Sequence, residues 1–138
     1  MIQTDSKKCA ADGVGIGVIV AVVVGVHVNG KLTLGENIAD LGGVTIAYEA
    51  FKLTTEGQDS TRIDGLTPDQ RFFLSFAQSW RSKYKDELRR QLVNVDVHSP
   101  DMFRVLGPLE NFGPFYAAFG VKQGDKMFKP DSSRIKIW

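Results

Sequence analysis

The 138-residue sequence predicts a mainly α-helical fold behind an apolar N-terminal segment, for which β structure is one interpretation. Apolar residues recur every three or four positions from Leu34 to Phe51, which is typical of an amphipathic helix. A second helix is indicated by Thr67-Pro68-Asp69-Gln70, where a capping threonine precedes a proline suited to the first turn and a glutamine that closes a capping box. Ser99-Pro100-Asp101 repeats the sequence of capping residue, proline and acid, and predicts a third helix.

The composition is that of an ordinary globular domain, with 43% hydrophobic and 24% charged residues. Its formal net charge of +1 gives no overall field that would attract nucleic acid or an anionic membrane. The basic stretch from Arg81 to Arg90 is interpreted as a solvated helical face. The single cysteine, Cys9, excludes a disulfide scaffold and is expected to be a free thiol in a loose terminus.

The run from Gly13 to Val28 is rich in valine, isoleucine and glycine and carries no charge. It is shorter than the roughly 20 apolar residues of a membrane span. Two interpretations stay open. The run could be a β-strand or a hairpin broken at Gly17 or Gly25, or a signal-like segment preceded by two lysines. The Asn29-Gly30 pair that follows is a turn signal.

The remaining chain is predicted to alternate between helices and irregular connections. The expected elements are a helix over 34–55, a polar loop over 56–66, a helix from Thr67 to about Arg90, a short helix to about Leu106, a short helix over 114–119 ended by Gly120, and an extended tail packed by Phe128, Ile135, Ile137 and Trp138. Gly42-Gly43 lies inside the first helix. Either that helix ends there or another backbone approaches it closely.

Glu36 and Asp40 are four residues apart and therefore share one face of the first predicted helix. Like charges at this spacing repel each other unless a positive group lies nearby. One interpretation is a solvated acidic face near a helix N-terminus. The other is a metal ligand accompanied by a carboxylate that orients a ligating histidine.

His98 comes just before the third predicted helix, and Arg104 falls about one turn inside it. A histidine and an arginine that converge in this way can stabilise an oxyanion or bind a substrate carbonyl or carboxylate. The alternative is a histidine packed at the entry of a helix beside a surface arginine. The residues alone leave both interpretations open.

Taken together, these segments resemble the C-terminal part of the neprilysin-like zinc metallopeptidases, over about Val28 to Trp138. The segments that carry the resemblance are Val28-Asn29-Gly30, Leu34-Gly-Glu-Asn-Ile-Ala-Asp40-Leu-Gly-Gly43, Arg71-Phe-Phe-Leu74, Phe76-Ala-Gln78, Trp80, Asp96-Val-His-Ser-Pro100, Phe103-Arg104 and Trp138. Their order and spacing together are far more specific than any one of them. The resemblance implies the C-terminal portion of a gluzincin-type, thermolysin-like catalytic domain.

The resemblance also implies a role for four residues. Glu36 corresponds to the third zinc ligand, and Asp40 to the acid that orients a zinc-bound histidine. His98 corresponds to the histidine that stabilises the oxyanion of the transition state, and Arg104 to the arginine that contacts the substrate backbone. The cofactor implied for the parent enzyme is zinc, its partner is a peptide substrate, and family members are typically extracytoplasmic.

One departure from the family is large, because the chain contains only His27 and His98 and no H-E-x-x-H motif. We therefore expect an unrelated or disrupted segment over 1–27 and the C-terminal part of a peptidase catalytic domain over 28–138. The chain alone is expected to be inactive and not to bind zinc stably, and an open apolar face favours self-association. The alternatives are a non-catalytic helical module that binds peptides or proteins, or a truncated product without function of its own.

Overall fold

The computed structural model describes residues 22, 23 and 25–137, with side chains from residue 25 onward. The described part is mainly helical, as predicted. Its elements are the strands β1 (Val22–Val23) and β2 (Val26–His27), the helices α1 (Gly30–Lys52), α2 (Thr55–Gln58), α3 (Pro68–Ser79), α4 (Asp86–Val95), α5 (Asp101–Glu110) and α6 (Gly113–Phe119), and a 3-10 helix over Asp131–Ser133. No helix in these residues is long and apolar enough to cross a membrane.

The two strands form an antiparallel hairpin, in which Val22 pairs with His27 and Val23 with Val26. Gly25 turns the chain with a φ of +79°, a backbone conformation that glycine adopts without a steric penalty. The predicted hairpin break at Gly25 is therefore confirmed. The expectations for Cys9, for Gly17 and for the start of the apolar run lie outside the described residues.

Helix α1 begins four residues earlier than predicted, because Asn29 caps it. The Asn29 side chain accepts hydrogen bonds from the backbone N–H groups of Lys31 and Leu32, at 3.1 and 3.2 Å. The helix also continues through Gly42-Gly43, so of the two alternatives left open at this pair the helix end is excluded. Its other boundary is close to the prediction, at Lys52.

The long helix predicted from Thr67 to Arg90 is two helices, α3 and α4, separated by residues 80–85. Its start is as predicted, with both hydrogen bonds of the capping box between Thr67 and Gln70 present. Trp80 ends α3, and its ring stacks on the Arg104 guanidinium, 4.0 Å from the ring centroid. Asp86 and Glu87 then start a new helix, where the helix dipole favours acids. A tertiary contact thus interrupts a stretch whose local pattern is helical.

Helix α5 differs from the prediction at both ends. Its N-cap is Pro100, and Ser99, predicted to be the capping residue, makes no bond to the helix. It continues to Glu110, past Pro108. In contrast, α6 ends at Gly120 as predicted, with the glycine in the left-handed conformation at φ +65°. A short helix, α2, replaces part of the predicted polar loop.

An aromatic core joins α1, α3, α6 and the tail. Its buried members are Leu41, Val44, Tyr48, Phe73, Leu109, Phe112, Phe115 and Tyr116. Phe128, Ile135 and Ile137 of the tail pack against it as predicted, whereas Trp138 lies outside the described residues. Phe73 is 1% exposed and stacks on Tyr48 with the ring centroids 5.3 Å apart. This core fixes one face of α1 and the direction in which α1 crosses α5.

The opposite face of α1 is apolar too, but it is open to solvent. We call this face the α1 stripe; its members are Gly35, Ala39, Gly43, Ile46, Ala50 and Leu53. Ile46 is 61% exposed. A helix with two apolar faces is ordinarily covered on both.

Candidate active site

Four charged side chains meet where α1 packs against α5 and the loop before it. Glu36 and Asp40 lie on α1, Arg104 on the first turns of α5, and His98 in the loop over residues 96–100. The Glu36 carboxylate is 3.3 Å from His98 Nε2, and the Asp40 carboxylate is bound to Arg104. The four residues singled out in the sequence therefore form one cluster. Their catalytic roles are a separate question.

Asp40 and Arg104 form a two-pronged ion pair. Arg104 Nε donates to one oxygen of Asp40 at 2.7 Å and Nη2 to the other at 2.6 Å, which fixes the guanidinium plane. The Asp40 side chain is 10% exposed and that of Arg104 15%. The hydrogen bonds that Arg104 donates to Asp40 raise the pKa of Arg104, although burial acts in the opposite direction. Arg104 is therefore a fixed cation.

His98 lies between two carboxylates, Asp96 and Glu36. Its Nδ1 is 2.8 Å from the Asp96 carboxylate, which also accepts the His98 backbone N–H at 2.9 Å. The backbone bond first, and the ring bond second, hold the pKa of Asp96 below its ordinary value. Asp96 therefore stays ionised and fixes the ring so that Nε2 points towards Glu36. The sequence analysis did not assign Asp96 a role, although its position two residues before a histidine is typical of such a turn.

A short chain of buried polar groups holds the His98 loop against α1. Ser99 Oγ donates to Asn37 Oδ1 at 2.7 Å, and Asn37 Nδ2 donates to Thr33 Oγ1 at 3.2 Å. Ser99 is 3% and Thr33 2% exposed. Because Asn37 follows Glu36 and Ser99 follows His98, these bonds hold the two candidate side chains at their observed distance.

The Trp80 ring stacks on the face of the Arg104 guanidinium, whereas Asp40 binds two of its N–H groups. The 4.0 Å distance is that of a cation–π contact, which is stronger away from water. The Trp80 indole nitrogen is buried and has no acceptor within the described chain. Its location beside Arg104 follows from tertiary packing, and no local pattern in the sequence indicates it.

A zinc ion needs three or four protein ligands among nitrogen, sulfur and oxygen donors. Within residues 25–137, no group of three or more histidine, cysteine, aspartate and glutamate side chains is arranged to hold a metal ion. Glu36 has only one imidazole beside it, that of His98. The described residues therefore do not fit a zinc ion by themselves.

Comparison with known proteins identifies the same family throughout. The family model for peptidase family M13 matches residues 13–135. Human membrane metallo-endopeptidase-like 1 is 43% identical over 115 residues, which cover 81% of this chain and 14% of that protein. The neutral endopeptidase of Lactococcus lactis strain IL1403 is 40% identical over 110 residues, 80% of this chain and 16% of that protein.

Two solved structures also share the fold. The zinc metalloprotease Zmp1 of Mycobacterium tuberculosis, in its open state, superposes with a TM-score of 0.77 at 44% identity and covers 81% of this chain and 17% of its own. PepO from Lactobacillus rhamnosis superposes with a TM-score of 0.74 at 32% identity, and the match covers 88% of this chain and 18% of PepO. The chain thus spans about one sixth of the length of these proteins.

Proposed function

We propose that this chain, which belongs to peptidase family M13, is the C-terminal portion of a zinc-dependent metalloendopeptidase site. The chain lacks the H-E-x-x-H helix of such a site. The observation that carries the proposal is the cluster of Glu36, His98, Asp40 and Arg104 at the crossing of α1 and α5. An arrangement of one carboxylate whose ion-pair contact is the imidazole, one oriented imidazole and one fixed guanidinium suits the backbone of a bound peptide.

Each side chain has a chemical task in this proposal. Arg104, held by Asp40, donates hydrogen bonds to a peptide carbonyl of the substrate. His98, oriented by Asp96, places Nε2 where it can donate to an oxyanion that develops on the scissile carbonyl. Glu36 is the proposed metal ligand, and Asp40 is the acid that orients a zinc-bound histidine of the parent. When bound in the parent, zinc would supply Lewis-acid chemistry. The 138 residues contain two histidines, His27 and His98, and these do not form an H-E-x-x-H motif that could hold the ion.

A chimeric enzyme tests these roles. Residues 28–138 replace the corresponding region of the lactococcal neutral endopeptidase, which supplies the rest of the catalytic domain. We expect the chimera to hydrolyse a quenched fluorescent peptide. The Glu36→Gln substitution should lower the rate of this hydrolysis by at least 100-fold, which corresponds to about 2.7 kcal/mol. Glu49→Gln, an exposed acid on the same helix, is the matched control and should retain activity. A chimera that folds and binds zinc but does not turn over contradicts the proposal.

The second candidate is a non-catalytic module that binds peptides. It is favoured by the absence of a three-ligand metal site in the described residues, because peptide binding by His98 and Arg104 needs no metal. Retention of peptide binding by the isolated chain, combined with an inactive chimera, would support this candidate over the first.

The proposal also covers the cofactor, the partners and the location of the protein. Zinc is expected to bind the parent and not this chain stably, the substrate of the parent is a peptide, and no nucleic acid is involved. The α1 stripe is proposed to mediate self-association when nothing covers it. An extracytoplasmic location is proposed for the parent, as in the neprilysin-like family.

A further inference from the structure

Next to the candidate site lies a cavity of about 650 Å³, a volume within the usual range for small-molecule pockets. It is enclosed by the end of α3, residues 80–85, α4, the His98 loop and the start of α5. His98 and Arg104 form part of its wall, so it is continuous with the proposed peptide-binding cluster. Leu92, Met102, Val105 and Leu106 supply an apolar lining.

Not every charged side chain that lines this cavity has a partner among the described residues. Asp96 is engaged by His98, Asp101 accepts a hydrogen bond from Ser82, and Arg104 is paired with Asp40. Two lining arginines, Arg81 and Arg89, have guanidinium groups with no ion-pair or hydrogen-bond partner among the described residues. What the lining offers is therefore two guanidinium groups that no carboxylate of the described residues binds.

Arg89 is the more informative of the two arginines, because it is half-buried whereas Arg81 is exposed. A partly desolvated guanidinium without a partner is costly, and a carboxylate that binds it with two parallel hydrogen bonds offsets that cost. The buried indole N–H of Trp80, another lining residue, also has no acceptor in the described chain. An unpaired guanidinium thus lines an apolar space, and a second unpaired donor, the indole N–H, is buried in its wall.

We propose that this cavity binds a carboxylate of the peptide ligand, with Arg89 as its main contact, Arg81 as a second contact and an adjacent apolar side chain of the ligand against Leu92 and Val105. The inference rests on the proposed function, since it takes a peptide as the ligand. It adds a preference for acidic peptides. The carboxylate is either an acidic side chain or a free C-terminus, which share the same chemistry.

The test is zinc-free peptide binding to the 138-residue chain, followed by nuclear magnetic resonance at the Trp80 indole and the α4 amides. Three probes differ only in their carboxylate: acetyl-Leu-Ala-Glu-amide, acetyl-Leu-Ala-Gln with a free C-terminus, and acetyl-Leu-Ala-Gln-amide. We expect at least one of the charged probes to bind about ten-fold more tightly than the neutral one, which is 1.4 kcal/mol. The tighter charged probe identifies the source of the carboxylate.

Arginine variants show whether the preference comes from the cavity. Arg89→Gln should abolish the ten-fold difference, and Arg89→Lys, which keeps the charge but loses the planar fork, should retain part of it. Arg90→Gln is the matched control, since Arg90 is the exposed neighbour outside the cavity lining. Equal binding of the three probes, absence of binding, or an unchanged preference in a folded Arg89→Gln would overturn the inference.

Failure of this inference and failure of the proposed function are distinguishable. The binding test needs neither metal nor turnover, whereas the chimera needs both. An active chimera with no preference for carboxylate probes retains the proposed function and removes only the inference.

Discussion

Asp40 and Arg104 are the least exposed ion pair among the residues that the structure describes. Their parallel hydrogen bonds leave the guanidinium with one orientation, and the Trp80 ring closes its other face. Such a pair adds little net stability when intact, because desolvation offsets the attraction. Breaking it leaves a buried charge without a partner, so its main effect is to fix the position of Arg104.

Asp40→Asn should lower the free energy of unfolding by about 3–5 kcal/mol, because Arg104 would stay buried without its counter-ion. Urea denaturation followed by circular dichroism measures this change. Asp131→Asn is the control, since its ion pairs with Arg134 and Lys136 are largely exposed and worth about 1 kcal/mol or less. Similar losses in both variants would contradict the structural assignment.

Glu110 provides a test of pH dependence. Burial raises its pKa above 4.5, the ordinary value, although Lys129 nearby acts in the opposite direction. The folded state therefore disfavours the ionised form, and this penalty is absent below the unfolded pKa and complete above the folded pKa.

Glu110→Gln should consequently raise the Tm at pH 7, with a difference that shrinks as the pH falls to about 4. Thermal unfolding at several pH values measures the effect, with Glu49→Gln as an exposed control. A stabilisation that does not change with pH would mean that ionisation is not the cause.

At the scale of elements, the loop over residues 96–100 contributes more to the geometry of the candidate site than the helix α5 that follows it. Ser99 binds Asn37 on α1 in place of capping α5, and so ties the loop to a helix that is distant in sequence. The pair Asp96 and His98 is carried on that loop. The spacing of the candidate site thus depends on a contact between α1 and the loop.

Ser99→Ala should cost about 1–3 kcal/mol in unfolding free energy, because Asn37 Oδ1 would lose its buried donor. If Ser99 acts through Asn37, the double variant with Asn37→Ala should cost less than the sum of the single variants. A double-mutant cycle in urea measures this coupling. Additive losses would argue that Ser99 acts in another way, for instance as a helix cap.

For the whole molecule, the proposal gives this chain one zinc ligand, Glu36, whereas zinc hydrolysis requires three protein ligands. Purified chain with added zinc is expected to show no chelator-sensitive hydrolysis of a neprilysin-type quenched peptide. The reason is that the H-E-x-x-H motif, with its general base and two ligands, is absent from the 138 residues. The lactococcal relative serves as the positive control. Turnover of about 1 per second or faster, abolished by a chelator, would refute the expectation.

The second expectation for the whole molecule is self-association, and it depends on the α1 stripe. Its apolar side chains face solvent, so the purified chain is expected to self-associate at high concentration. Ile46→Lys should shift the population towards the monomer in size-exclusion chromatography with light scattering. Lys31→Gln, an exposed change outside the stripe, is the control. A monodisperse wild-type monomer at high concentration would contradict the expectation.

Local sequence signals determined several features directly. The capping box of Thr67, the end of α6 at Gly120 and the hairpin turn at Gly25 were all predictable, because each depends on residues within three or four positions. The four candidate site residues were also identified from the sequence. Their grouping into one family pattern, and not their individual spacing, made that possible.

Only the tertiary structure decided what those residues contact. The break after Ser79, the partner of Ser99, the choice of Arg104 as the partner of Asp40 and the location of Trp80 all depend on groups at least 19 positions apart, such as Ser82 and Asp101. No local pattern encodes such pairs, since the free energy of a contact between distant residues depends on where packing places them. The sequence by itself thus determined the helical class, several helix ends and the candidate residues, whereas packing of α1 against α5 decided the geometry of the site.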